Sequence, residues 1–198
     1  MARSRVIDAD GHVYDTHPKT LKWIEENIEP KFKKRAPMTI PFPTGAGRTL
    51  VDGQIWTMAN SAGGRRDSED TFELHISRKG MIDPKIRIKD MDTEGIDIAV
   101  LFGGTLVLLA PGLHDAEFGA AICRAYNNWL AEYCRPYPER LKGVAALPLQ
   151  DPAEAIQELR RCVTELGFVG AMFPSNLPRP ARTKTALPEK INSPCMTC

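Results

Sequence analysis

The chain has 198 residues, 42% of them hydrophobic, enough to bury a sizeable core as one domain. A net charge of +1 gives no long-range field suited to nucleic acid or an anionic membrane surface. No stretch approaches the roughly 20 apolar residues of a membrane span. Acidic Asp8 and Asp10 interrupt any signal-peptide core, and five cysteines without regular spacing suit a reducing compartment. The expectation is a soluble, cytoplasmic protein that binds neither nucleic acid nor membrane.

Residues 4–10 read as a buried strand, and the phrase Asp8-Ala9-Asp10-Gly11-His12 that closes it carries the clearest chemistry in the chain. On a strand, positions i and i+2 share a face, so Asp10 and His12 can converge on one metal ion. Asp8 lies on the same face of an ideal strand, one step deeper. Thr16, Pro18 and the apolar set Leu21, Ile24 and Ile28 predict a short capped helix, with His17 in a capping or surface role. The basic run Lys31–Arg35 reads as a solvated helix end and loop.

Residues 36–80 form an irregular insertion, broken by Pro37, Pro41, Pro43, Gly45, Gly47, Gly63 and Gly64. Within it, Asp52-Gly53 between apolar flanks predicts a hairpin with a type I′ turn. His75, in the same insertion, reads as a surface residue. Regularity returns at Asp83-Pro84, a cap followed by proline at the first helical position. The helix stops at Gly95 and leads into the β-branched strand 96–102. The same phrase recurs as Asp151-Pro152, a helix ending at Gly167, and the strand Phe168–Phe173.

Between the two copies, Asp115 to Tyr133 predicts a long helix whose apolar stripe is Phe118, Ile122, Tyr126, Trp129, Leu130 and Tyr133. A strand follows at Gly143–Pro148. Four apolar strands alternating with helices imply a parallel α/β sheet covered by helices. An open doubly wound sheet is the alternative, though no glycine-rich phosphate loop follows the first strand. Cys195-x-x-Cys198 has metal-ligand spacing but stands as one pair at a terminus and reads as coincidence.

Asp-Ala-Asp-Gly-His at the first strand is followed in order by Ala125–Leu130, Pro138-Glu139-Arg140-Leu141, Ala146–Pro152 and Glu165–Gly170. Together these phrases resemble the amidohydrolase-related metalloenzymes, the branch that includes aminocarboxymuconate-semialdehyde decarboxylase. The resemblance runs across residues 5–178. It implies a (β/α)8 barrel of TIM type with its site at the C-terminal mouth. It further implies a metal held by a first-strand pair, commonly His-x-His, with middle-strand histidines and a last-strand aspartate.

Here the pair is Asp10-x-His12. Such mixed oxygen and nitrogen donors suit zinc, the first expectation, and also manganese. The implied activity is metal-dependent hydrolysis or non-oxidative decarboxylation of a small aromatic or unsaturated carboxylic acid. Phe102-Gly103-Gly104 and Pro174-Ser175-Asn176 follow strands and would lie at the mouth. His114, in the loop before Asp115, and Asn176 are the candidate substrate contacts.

Only about half of an eight-stranded barrel is visible. Residues 1–180 read as the N-terminal part of the barrel, and 181–198 as an unrelated tail without apolar periodicity. The competing expectation is therefore a truncated, inactive half-barrel that binds metal weakly and whose exposed strand edges favour a homo-oligomer. A third reading is an open α/β binding domain without metal.

Overall fold

The computed structural model describes residues 4–40, 48–56 and 79–173. His75, Asn176, Cys195, Cys198 and the 181–198 tail lie outside them. Among the described residues four strands form one parallel sheet in the order β1-β5-β6-β7. They are β1 (Ile7–His12), β5 (Ile98–Phe102), β6 (Leu141–Ala146) and β7 (Gly170–Met172). A second, antiparallel sheet joins β2 (Met38–Ile40), β3 (Arg48–Val51) and β4 (Gln54–Trp56).

The helices begin where their local signals place them. In α1 (Pro18–Asn27), the His17 ring, rather than Thr16, caps the first turn by accepting the Lys19 N–H at 3.2 Å. Burial holds that imidazole below its ordinary pKa, and nearby Lys19 adds to the shift. Asp83 caps α2 (Pro84–Glu94) and Asp151 caps α5 (Pro152–Thr164), each just ahead of a proline whose missing N–H costs the helix nothing. Asp115 caps the long α4 (Ala116–Cys134), whose predicted stripe is buried throughout. The Asp52-Gly53 turn takes the left-handed pair of a type I′ hairpin, with φ 51° and 74°. The short helix α3 (Thr105–Leu109) was not anticipated.

Two expectations need correction. The first strand is not buried: it starts at Ile7, lies at the edge of the sheet, and leaves Ile7 and Ala9 exposed. Among the described residues it has a strand on one side only, which leaves its apolar start uncovered. Lys31–Arg35 is a solvated helix end and loop only in part: Lys31, Lys33 and Lys34 are exposed, but Phe32 is buried. The run is part of a 3-10 helix (Pro30–Arg35) that buries Phe32 against Phe118. Arg35 donates to both carboxylate oxygens of Asp52 at 2.6 and 2.8 Å, and to Asp115 at 2.8 Å. Its guanidinium also stacks 4.2 Å over the Phe118 ring. These hydrogen bonds hold the Asp52 and Asp115 carboxyls below their usual range, and they tie the hairpin to the start of α4.

Several phrases that looked like family signatures turn out to be tertiary hydrogen bonds. Arg140 donates to Ile96 O at 2.7 Å, Asp97 O at 3.0 Å and Asp92 Oδ1 at 2.5 Å, fixing the turn between α2 and β5. Arg140→Ala leaves those carbonyls without this donor and is expected to cost about 2–3 kcal/mol. Arg140→Lys should recover only part of that, because a single ammonium cannot reproduce the planar fork. Urea denaturation of the two variants measures the difference.

Candidate metal centre at the end of the first strand

The mouth of the sheet is set by how β1 pairs with β5. Ile7 and Asp8 lie opposite Ile98 and Ala99, whereas Gly11 and His12 lie opposite Leu101 and Phe102. Two residues, Ala9 and Asp10, therefore face the single Val100, which is a β-bulge. Its cause is local: Asp8 Oδ1 accepts the Asp10 N–H at 3.0 Å, a bond two residues ahead that draws the chain out of the ladder.

The bulge reverses the expected alternation. Asp8 and Gly11 now align with Ala99 and Leu101, the wholly buried face of β5. A side-chain carbon on Gly11 would come within 3.1 Å of Asp8 Oδ2, Leu101 Cδ2 and Val100 O, so any larger residue there would crowd this face. His12 aligns with Phe102 on the half-open face, the two rings 6.3 Å apart. Asp8 is thereby turned away from the Asp10–His12 pair, contrary to the reading of an ideal strand.

Asp10 and His12 are brought together as the spacing suggested. Asp10 Oδ1 lies 3.5 Å from His12 Nε2, with the side chains 92% and 50% exposed. Two donors bonded at about 2.1 Å in tetrahedral geometry stand about 3.4 Å apart, so this pair fits a shared divalent ion. His114 is exposed in the loop immediately before the α4 cap. Among the described residues, no three His, Cys, Asp or Glu side chains form a group able to hold a metal, so His114 does not join the pair in one.

The backbone beneath this exposed pair is held from both sides. The His12 carbonyl accepts from Arg87, whose Nε also donates to Gly80 O at 3.2 Å. Tyr133 donates its hydroxyl to the same Gly80 carbonyl. Val13 N–H reaches Phe102 O at 2.9 Å, and Tyr14 N–H reaches Met81 O at 3.0 Å.

Sequence reasoning missed Asp15, which is 1% exposed. Its Oδ2 accepts the N–H groups of Gly104 (2.8 Å) and Leu106 (2.9 Å), and its Oδ1 accepts that of Thr105 (3.2 Å). Gly104, at the cap position of α3, has no side chain to offer, so the cap comes from 89 residues away. A carboxylate two residues beyond an apolar Val13 was the available signal, but nothing local says which N–H groups it meets.

Burial pushes the Asp15 carboxyl up to about 6, against the pull of its backbone donors. The folded state thus binds a proton between about pH 4 and pH 6 that the unfolded chain has already released. This contribution to stability is full below about pH 4 and is lost as pH rises through 6, a fall of about 3 kcal/mol. Urea midpoints measured from pH 4 to pH 7 should show that slope in the wild type and lack it in Asp15→Asn.

The described cysteines, Cys123, Cys134 and Cys162, are free and buried. Desolvation raises all three thiols, Cys134 and Cys162 to about 12, which makes them packing residues rather than nucleophiles. No helix among the described residues is long and apolar enough to cross a membrane.

Residues 7–188 match the model of the family described as amidohydrolase. The chain belongs to the amidohydrolase family. Gamma-resorcylate decarboxylase of Rhodococcus jostii (strain RHA1) is 48% identical over 90 residues, 44% of this chain and 26% of that protein. A 2-keto-4-carboxy-3-hexenedioate hydratase of Sphingobium sp. (strain NBRC 103272 / SYK-6) is 35% identical over 168 residues, 83% of this chain and 40% of that protein. The chain thus spans well under half the length of these curated relatives.

Among solved amidohydrolases, one from Mycobacterium avium subsp. paratuberculosis superposes with a TM-score of 0.63 at 21% identity, covering 85% of this chain and 48% of that one. A 5-carboxyvanillate decarboxylase from Novosphingobium aromaticivorans, solved with bound manganese, gives 0.54 at 21% identity, covering 87% and 42%. The fold is that of the (β/α)8 amidohydrolase barrel, of which the described residues supply four parallel strands, about half. In that setting the C-terminal ends of β1 and β5 form part of the mouth where such barrels do their chemistry.

Proposed function

We propose that Asp10 and His12 are two ligands of a divalent metal centre, and that the enzyme removes carbon dioxide from a small hydroxylated aromatic or unsaturated carboxylic acid. The observation that carries this reading is the 3.5 Å Asp10–His12 pair on the open face at the end of β1. The decarboxylase relative aligned at 48% identity supports the substrate class. Zinc and manganese both accept one carboxylate and one imidazole; the manganese in the 5-carboxyvanillate decarboxylase structure supports manganese as a candidate beside zinc.

A divalent ion, when bound, supplies a Lewis acid that polarises a substrate oxygen. Asp10 and His12 are the residues that would hold it. Asp10 would provide a carboxylate oxygen and His12 an imidazole nitrogen, with the Phe102 ring 6.3 Å from that imidazole. Non-oxidative decarboxylation breaks the carbon–carboxylate bond and delivers one proton to that carbon. His114 and Asn176 are the proposed contacts for the substrate.

The test is metal analysis of the purified chain followed by carbon dioxide release from gamma-resorcylate. Stoichiometric metal and metal-dependent release, both lost in Asp10→Ala, are expected. Metal-dependent hydrolysis or hydration without release would move the reaction class while keeping the centre. A second reading has its own observation: only two donors meet among the described residues, where catalytic zinc takes three. On that reading the chain is an inactive half-barrel, and metal added at equimolar concentration dialyses away.

A further inference from the structure

We propose that Asp15 is a positioning residue for the metal site: its carboxylate locks the segment carrying His12 to the loop after β5, and so holds the His12 ring beside Phe102. The inference rests on His12 being a ligand, and it goes beyond that reading by naming what orients the ligand.

Three observations lead to it. First, Asp15 sits three residues beyond His12 and accepts from the N–H groups of Gly104, Thr105 and Leu106, which begin two residues after Phe102. Second, His12 and Phe102 are direct cross-strand partners, and Val13 N–H to Phe102 O is the last ladder bond between their strands. Beyond that bond, the two chains are joined by the Asp15 carboxylate. Third, Asp15 is buried while the Asp10 and His12 side chains stand exposed. Burying a carboxylate is costly, and packing an apolar residue there would not tie the two loops together. A rigid backbone under an exposed ligand is what a metal site needs, since a ligand held loosely binds weakly.

The experiment compares wild type, Asp15→Asn and Asn127→Ala, the last a destabilising change at the distant contact between α4 and β6. Asn at position 15 retains one acceptor oxygen but turns an NH2 group towards backbone donors. Asp15→Asn is expected to bind Mn2+ about 10- to 100-fold more weakly in its folded state. It should also lose the nuclear Overhauser contact between the His12 and Phe102 rings, whereas Asn127→Ala keeps both. Equal losses in the two variants, or unchanged Mn2+ affinity in folded Asp15→Asn, would overturn the proposal.

Should Asp15→Asn fail to fold, hydrogen exchange on the wild type decides. Coupling between sites is reciprocal, so Mn2+ must slow exchange at Gly104, Thr105 and Leu106 several-fold; no change there overturns the proposal. A wild type that binds no Mn2+ refutes the ligand reading instead. The positioning of His12 is then judged on the ring contact alone, kept in wild type and lost in Asp15→Asn.

Discussion

Asn127→Ala is expected to lower stability by about 3–5 kcal/mol, among the largest effects of any single substitution in this chain. Asn127 is wholly buried on α4 and pairs with one residue of β6 in both directions. Its Nδ2 donates to Ala146 O at 2.9 Å, and its Oδ1 accepts Ala146 N–H at 2.8 Å. The same Nδ2 donates to Glu158 Oε1 at 2.7 Å, and Glu158 is in turn held by Arg161 through bonds of 2.9 and 2.7 Å.

Alanine removes all three bonds while leaving the backbone groups of Ala146 and the Glu158 carboxylate buried. For a chain of this size the melting temperature should fall by roughly 10 °C. Asn127→Asp is expected to be worse at neutral pH, since it opposes a second carboxylate to Glu158 and removes the donor to Ala146 O. Thermal denaturation followed by circular dichroism reads both, and a shift under about 2 °C for Asn127→Ala would show that the α4–β6 contact does not depend on this pair.

His12→Ala has the opposite signature. The His12 side chain is half exposed and Asp10 almost fully so, and the bonds to Arg87, Phe102 and Met81 that secure this segment do not involve the His12 ring. Stability should therefore change by no more than about 0.5 kcal/mol. If His12 is a ligand as proposed, Mn2+ or Zn2+ affinity should fall by at least about 100-fold, since one of the two donors that meet here is gone. Asp10→Asn keeps the size and loses the charge, so an intermediate loss is expected. Isothermal titration against each metal, with the melting curve of the same sample, separates a lost ligand from a lost fold.

The contrast between these two sites follows how each was legible. Asp10 and His12 could be read from the chain because two residues on one strand need only the period of the strand to meet. Even so, the local reading of Asp8 failed, because its bond to the Asp10 N–H inserts a residue and turns it to the other face. Asn127 sat inside a recognisable phrase, yet its partner Ala146 lies beyond a turn and on another element. Asp15 drew no notice, because its partners are about 90 residues away.

What the sequence by itself determined is everything whose cause lies within a few residues. Asp83, Asp115 and Asp151 cap helices, Gly95 and Gly167 end or follow them with positive φ, Asp52-Gly53 turns a hairpin, and apolar periodicity separates strands from helices. Those signals imply a parallel α/β architecture because alternating units have few other ways to bury their apolar faces. Only the tertiary structure decided the β1–β5 register, the buried carboxylate of Asp15, the Arg140 and Asn127 locks, and the clamp of Arg35. Each joins groups distant in sequence, and hydrogen bonds of that kind depend on where the packed core places the backbone.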